Sequence, residues 1–326
     1  MPPRRPYLIT GGAGFIGSHL ADALLRAGHA VRVLDDLSTG KRENLDPRCE
    51  LILGDVADAG LVGRAMSHVA GCFHLAAVAS VARSNEDWLG THRVNATGTV
   101  AVLEAARAAG GTPVVYASSA AVYGDQGEAP IQESATPRPR AAYGADKLAS
   151  ELHARVAYDV HGVPTLGLRF FNVYGPRQDP TSPYSGVISI FAARLAKGQR
   201  LVVHGDGRQT RDFVYVADVV AHLVAGMRLL EREPQAAVLN VCTGKATSVI
   251  GLAETLSRAT GLKLELTFEA PRPGDIRASV GDPTNATATL GVAAGTPLEA
   301  GLAVTLASLS QEQSRRPADA AGAAPR

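Results

Sequence analysis

Short apolar runs alternate with helically spaced apolar positions through the first half of this chain. Tyr7-Leu8-Ile9 is a continuous apolar run that reads as a strand buried on both faces. Ile16, Leu20, Leu24 and Leu25 then recur at helical intervals, and Gly28 stands where such a helix would stop. Further strands are predicted at Ala30 to Leu34, Glu50 to Leu53, Cys72 to Leu75, Pro113 to Ala117 and Thr165 to Phe170. Between them, Val94, Val100, Leu103 and Ala106 predict a helix from Arg93 to Ala109. Pro137 and Pro139 break the chain before a second helix from about Ala142 to Tyr158. Strand and helix in this rhythm predict an α/β fold built on a doubly wound parallel sheet, with ligands at the carboxyl ends of the strands.

Beyond Asn172 the rhythm changes. Tyr174 to Gly186 is rich in Pro, Ser and Gly, as expected of a loop covering a site. Leu201-Val202-Val203 and Leu264-Glu265-Leu266 read as strands of a smaller α/β domain. Val214-Tyr215-Val216 and Val238 to Val241 read as returns to the main sheet, so two interleaved domains are expected. The first would hold residues 1–169 and about 210–244, the second about 170–209 and 245–313. The tail 314–326 lacks apolar spacing and is expected to be disordered.

Composition narrows the class. A chain of 326 residues, 46% hydrophobic and 19% charged, can bury one large or two moderate cores. A net charge of +1 leaves no electrostatic footprint for nucleic acid. Three scattered cysteines without metal-ligand spacing suggest reduced thiols, and no metal site is expected. The opening run MPPRRPYLIT has no long apolar segment. Neither a signal peptide nor a membrane span is therefore expected, and a cytoplasmic location is.

The stretch from Tyr7 to Asp36 gives the first chemistry. Gly11, Gly14 and Gly17 follow the first strand at a spacing of three, and Asp35 ends the second strand eighteen residues after Gly17. Strand, glycine turn, helix, strand and terminal acid form a Rossmann-type dinucleotide-binding unit. Glycines let the backbone approach a pyrophosphate, and the helix N-terminus offers free N–H groups. Asp35 can accept from both hydroxyls of an adenosine ribose and would repel a 2′-phosphate, which favours NAD over NADP. The polar loop Asp36, Leu37, Ser38, Thr39, Gly40 can close over the adenosine. Asp55, at the end of the third strand, suits either the adenine amino group or an N-cap for the next helix. Ala76 and Ala77, beside Leu75, leave room at the fourth strand's exit. His74, inside an apolar run, reads as a packed, hydrogen-bonded histidine rather than a catalyst.

A second constellation carries a base. Tyr143 and Lys147 lie four residues apart on a predicted helix and share a face. A neighbouring ammonium and a positive nicotinamide ring both favour the phenolate, bringing a phenol of ordinary pKa about 10 toward the working range. Ser119, at the end of a central strand, can hydrogen-bond a substrate oxygen beside Tyr143.

The segments Thr10 to Gly17, His74 to Ala77, Ser118 to Gly124 and Tyr143-xxx-Lys147 together resemble the extended short-chain dehydrogenase/reductases. Arg169 to Pro176, Arg211 to Val216 and Arg272 to Asp275 extend the likeness to about residue 285, within the NAD-dependent epimerase/dehydratases and nearest to the UDP-hexose 4-epimerases. That resemblance implies that Tyr143 takes the proton of a sugar 4-hydroxyl while NAD takes the C4 hydride. Lys147 would hold the nicotinamide ribose, and Ser119 would bond O4. It further implies cofactor contacts at Phe15, Ile16, Val56, Leu75, Asn95, Ser118 and Phe170. Asn172, Arg211 and Arg272 match pyrophosphate contacts, Asp275 a ribose-side contact and Val187 another substrate contact. Guanidinium forks suit phosphate.

Departures from relatives refine the expectation. Ala120 and Ala121 stand where dehydratases carry an acid pair and decarboxylases a glutamate, which argues for epimerisation over elimination. Ser279 replaces a tyrosine that often narrows the hexose pocket, leaving UDP-N-acetylglucosamine open beside UDP-glucose. Asp179 stands where UDP-glucuronate relatives often have a basic residue, although Arg177, Arg194 or Thr181, Ser182 and Ser185 could receive a carboxylate. Trp88 replaces a common proline, without a functional account. Relatives pair through two helices, so residues about 91–109 and 142–158 are expected to form a homodimer face.

Overall fold

The computed structural model describes residues 5–179, 186–271 and 276–315. Six strands form in turn: β1 (Tyr7–Thr10), β2 (Val31–Asp35), β3 (Glu50–Leu53), β4 (Gly71–His74), β5 (Val114–Ser119) and β6 (Thr165–Phe170). Between them run α1 (Phe15–Arg26), α2 (Ala59–Met66), the short α3 (Val81–Glu86) and α4 (Trp88–His92), α5 (Gly98–Ala108) and α6 (Ala142–His161). The chain then leaves the sheet through β7 (Asn172–Tyr174), α7 (Val187–Ala196), β8 (Leu201–His204), β9 (Thr210–Arg211) and β10 (Phe213–Tyr215). It returns by α8 (Val216–Arg232) to β11 (Ala236–Val241), and β12 (Thr247–Ser248), α9 (Val249–Thr260), β13 (Leu266–Glu269), β14 (Ala278–Ser279), α10 (Thr284–Leu290) and α11 (Leu298–Arg315) follow.

The main sheet has seven strands in the order β11-β6-β5-β4-β1-β2-β3, with every neighbouring pair parallel. Successive side chains of a strand point to opposite faces, so a sheet covered on both sides needs continuous apolar runs. Ile9, Phe73 and Val115 pack with Leu20 and Leu24 of α1 and Leu223 and Met227 of α8. Their neighbours Leu8, Cys72 and Val114 pack the other way, against Met66 of α2, Val102 of α5 and Ala154 of α6. Each fully buried aliphatic or aromatic side chain of this kind contributes about 1.5–3 kcal/mol. Strand order reverses between β1 and β4, which opens a crevice at their carboxyl ends.

A third core, with Tyr174, Ile188, Phe191, Leu201, Leu252 and Leu302, sits in the later segments. There β8 pairs with β13, while β9 joins β12 and β14. The expected return of Val238 to Val241 to the main sheet is borne out by β11, which pairs with β6 along its whole length. Val214 to Val216 does not return. Phe213–Tyr215 instead pairs with β7 in a separate two-stranded sheet, because β11 takes the edge of β6 that such a return would need.

Other boundaries move for local reasons. The helix expected to stop at Tyr158 continues to His161, where Gly162 takes the left-handed conformation at φ 69°. The helix expected from Arg93 begins as a π-helical turn, Arg93–Thr97, before α5 proper. The later strand of the small domain lies at Leu266–Glu269 rather than Leu264 to Leu266. Of the tail expected to be disordered, Ser314 and Arg315 close α11 and residues 316–326 lie outside the described residues. Among the described residues no helix is long and apolar enough to cross a membrane.

Candidate active site

The glycine turn lies at the crevice. Gly11 has φ 70°, and a Cβ there would come within 2.7 Å of the Ala76 backbone nitrogen, so the turn presses on the exit of β4. A Cβ on Gly17 would overlap the Gly11 carbonyl, whereas one on Gly14 would meet only that carbonyl, at 3.3 Å. Gly11 and Gly17 thus permit close packing, and Gly14 is the open position at the start of α1. No side chain caps that helix, leaving the first-turn N–H groups of Phe15, Ile16 and Gly17 for an external acceptor.

Asp35 is buried at the end of β2 and accepts from the backbone N–H of Ala13 and of Leu37, each at 2.9 Å. Burial raises its pKa despite those two donors. Asp36 accepts from the N–H and hydroxyl of Ser38, and Lys41 N donates to Ala13 O, so the Asp36–Gly40 loop folds against the turn with Thr39 exposed. This cradle, with an uncapped helix end and a buried carboxylate at the β2 terminus, fits a dinucleotide.

The β4 exit is more tied down than expected. Asn95 is buried in the π-helical turn and clamps Val78, accepting from its N–H at 2.8 Å and donating to its carbonyl at 3.2 Å. Its amide thus shapes the loop after Leu75, Ala76 and Ala77. Asp55 accepts from Ala57 N and pairs with Arg93 at 2.7 Å, while the cap of α2 is Asp58. Val56 is buried beside Gly98. His74 is buried and bonded on both ring nitrogens, and burial with the nearby Lys147 charge lowers its pKa to about 3. It is a packed neutral histidine, as the apolar run implies.

Ser119, Tyr143 and Lys147 come together. Ser119 ends β5 opposite Phe170 of β6, accepts from Ala121 N at 3.1 Å and stands beside the Tyr143 side chain, where it favours the phenolate. A Cβ on Gly144 would lie 2.6 Å from the Ala121 carbonyl, so that glycine lets α6 approach the turn after Ser119. Lys147 is buried, donates to the Ala117 carbonyl at 2.9 Å, and lies 5.8 Å from the Tyr143 ring centroid. Burial lowers the lysine pKa to about 8, opposed by neighbouring Asp146. Burial also raises the phenol, against the lowering influence of Ser119. Among the protein groups desolvation thus outweighs Ser119, and the sequence expectation of an acidified phenol counts on the nicotinamide ring as well as on Lys147. Ser118 faces away and donates to Glu151 at 2.5 Å; Glu151 in turn holds Arg169 bidentately.

On the substrate side, Asn172 is exposed at the start of β7 and Val187 is half-buried at the start of α7. Arg211 on β9 donates to the carbonyls of Thr210 and Ile276 and pairs in register with buried Ser279 on β14. Arg272 and Asp275 lie outside the described residues, as do Thr181, Ser182 and Ser185. Arg177 pairs with Asp22 of α1 at 2.7 Å, which directs its fork toward the cofactor helix rather than a sugar carboxylate. Arg194 NH1 donates to the carbonyl of Arg200 at 3.4 Å, and Trp88 is exposed.

Sequence reasoning missed three anchors. Asp212 is fully buried and accepts from Thr243 N, Thr243 Oγ1 and Gly244 N within 2.7–2.9 Å, stapling β9 and β10 to the exit of β11. Its one signal is an acid set between Arg211 and an apolar strand. Ser84 accepts from Tyr143 N, and Asp146 bonds His92 at 2.7 Å, fixing the start of α6. Neither pairing has a sequence spacing that could reveal it.

The reversed strand order, open helix end, buried ribose-side acid and Ser119–Tyr143–Lys147 set define a dinucleotide-binding enzyme of the Rossmann type. The chain belongs to the NAD dependent epimerase/dehydratase family, whose model matches residues 7–242, and its cofactor is NAD. It is 40% identical to a UDP-glucose 4-epimerase of Mycolicibacterium smegmatis over 313 residues, 92% of this chain and 96% of that one. A Thermotoga maritima UDP-glucose 4-epimerase solved with UDP-glucose has a TM-score of 0.90 and 35% identity, over 94% of this chain and 99% of that one. A Methanobrevibacter ruminantium UDP-N-acetylglucosamine 4-epimerase, in complex with UDP-N-acetylmuramic acid, has a TM-score of 0.89 and 32% identity, over 95% and 99%.

Proposed function

We propose that the chain is a UDP-hexose 4-epimerase of the UDP-glucose/UDP-galactose type that works through a 4-keto sugar. The observation that carries this reading is Tyr143 beside Ser119, with Lys147 5.8 Å from its ring and Ala120 and Ala121 following the serine. Tyr143 takes the proton from the sugar 4-hydroxyl, and Ser119 donates to O4 as the carbonyl forms. Lys147 holds the nicotinamide-side ribose and supplies a positive charge beside the phenol. Bound NAD supplies reversible hydride acceptance from C4 and a positive ring that favours the phenolate. Two alanines cannot move a C5 proton, which disfavours elimination.

The glycine turn with Phe15 and Ile16 holds the pyrophosphate, and Asp35 holds the adenosine ribose. Asp36, Ser38, Thr39 and Gly40 line the adenosine side, with Asp55 and Val56 beyond. Asn172, Val187 and Arg211, together with Arg272 and Asp275, hold the UDP moiety. The small Ser279 also supports UDP-N-acetylglucosamine as substrate. Residues 1–169 and about 210–244, apart from Arg211, serve the cofactor, and residues about 170–209 and 245–313 the UDP-sugar, in a cytoplasmic enzyme. Val100 of α5 and the stripe Leu152, Val156, Val160 of α6 are 40–67% exposed, which supports pairing of two copies through these helices.

The test is incubation of the purified protein with UDP-glucose, UDP-glucuronate and UDP-N-acetylglucosamine. A 4-epimer with no net NADH is expected from at least one. No epimer from any would defeat the proposal, and stoichiometric NADH would replace it with a net dehydrogenase.

A further inference from the structure

Hydrogen bonds around His74 run from α5, which packs on the catalytic helix, to the glycine turn. Ser150, three residues past Lys147 on α6, donates to the Asp146 carbonyl at 2.9 Å and packs its oxygen 3.1 Å from Thr99 Oγ1 of α5. Thr99 Oγ1 lies 3.1 Å from His74 Nε2, and His74 Nδ1 lies 2.7 Å from Thr10 Oγ1. Thr10 Oγ1 in turn accepts from Ala76 N at 3.3 Å. All four side chains are at most 3% exposed, so water does not compete for these bonds.

The proton positions follow from what each group can do. The hydroxyl proton of Thr99 goes to the Asn95 carbonyl at 2.6 Å, an atom that can only accept. Thr99 Oγ1 is then an acceptor toward His74, which places the ring proton on Nε2. Nδ1 is left with its lone pair and accepts from the Thr10 hydroxyl, whose own lone pair receives Ala76 N–H. A doubly protonated ring would face the Thr10 hydroxyl with a second donor and break that order. Burial beside Lys147 also keeps the ring neutral.

We propose that the neutral Nε2–H imidazole of His74 is a positioning residue that keeps the catalytic helix and the dinucleotide cradle in register. Its Nε2 side acts by fixing Thr99, whose side chain packs against Ser150 on the helix bearing Tyr143 and Lys147. Its Nδ1 side acts through Thr10 on the contact of Gly11 with Ala76, where an added Cβ would stand only 2.7 Å from the backbone. The two arms meet where a shift of about 1 Å can cost about a hundredfold in rate. This inference rests on the cradle holding NAD and on α6 carrying the base, but not on the identity of the sugar.

The two amide substitutions separate the arms. In His74→Asn the amide oxygen stands near Nδ1 and keeps the bond to Thr10. In His74→Gln the amide N–H reaches toward Nε2 and keeps the bond to Thr99. NAD release, followed by dilution of the loaded protein, should quicken about tenfold in His74→Gln and stay near wild type in His74→Asn. Turnover of whichever UDP-sugar the wild type converts should show the opposite order, falling about tenfold in His74→Asn. The pH profile of kcat should keep its position in both. Equal losses in the two variants, no loss in either, or a displaced profile would overturn the proposal. Should the histidine variants fail to fold, the near-isosteric Thr10→Val and Thr99→Val read the same split, quick NAD release in the first and slow turnover in the second. A wild type that converts no UDP-sugar would sink the epimerase reading, while the NAD-release comparison would still decide this one.

Discussion

The Lys147 ammonium lies 5.8 Å from the centroid of the Tyr143 ring and donates to the Ala117 carbonyl at 2.9 Å. Both groups are pushed toward their neutral forms by burial, the phenol upward and the lysine down to about 8. In the proposed reaction, proton abstraction by Tyr143 near neutral pH calls for a further positive charge at the site, which NAD would bring.

Tyr143→Phe should lower turnover by about 10²- to 10⁴-fold, the usual worth of a positioned general base, while leaving NAD bound. Paired assays of epimer formation and of nucleotide released on denaturation check this. A loss below tenfold would place the base elsewhere.

Lys147→Met should abolish most turnover yet stabilise the protein without nucleotide by about 1–3 kcal/mol, because a buried cation is removed. The sign in pH is specific. The folded pKa of about 8 lies below the ordinary 10.5, so the unfolded chain binds more protons between those values. Stability from this group is complete above 10.5 and is lost as pH falls to about 8. Denaturant melts of wild type across that window should show a rising stability component that Lys147→Met lacks.

Asp212→Ala should cost about 3 kcal/mol, since the donors at Thr243 and Gly244 would lose a buried acceptor. Urea midpoints measure it. A cost below about 0.5 kcal/mol would mean that the staple does not hold β9 to the β11 exit.

Val156→Glu places a charge in the exposed stripe between Leu152 and Val160. If this face pairs two copies, gel filtration should show the mass falling from dimer to monomer with the monomer still folded. An unchanged elution position would remove the face from the assembly.

Much of the site was legible along the chain because its parts are local. The glycine spacing, Asp35 at a strand end and the four-residue separation of Tyr143 and Lys147 each express one element's geometry. Ser119 was legible as the last residue of a strand. The bonds that set these parts against one another were not. Asn95 holds Val78, Ser118 turns to Glu151, and Arg177 turns to Asp22, each by a contact that no spacing encodes. The misplaced return of Val214 to Val216 has the same origin. Its apolar pattern suits any parallel neighbour, and competition from β11 decided which edge it joined.

The sequence by itself determined the alternation of strand and helix, the dinucleotide turn and the shared helix face of Tyr143 and Lys147, since periodicity and backbone preference act within a few residues. Tertiary structure alone decided the burial of Tyr143 and Lys147 and the hydrogen bonds through His74. Desolvation and hydrogen-bond partners depend on which distant segments close over a group, and those segments are brought together only by packing.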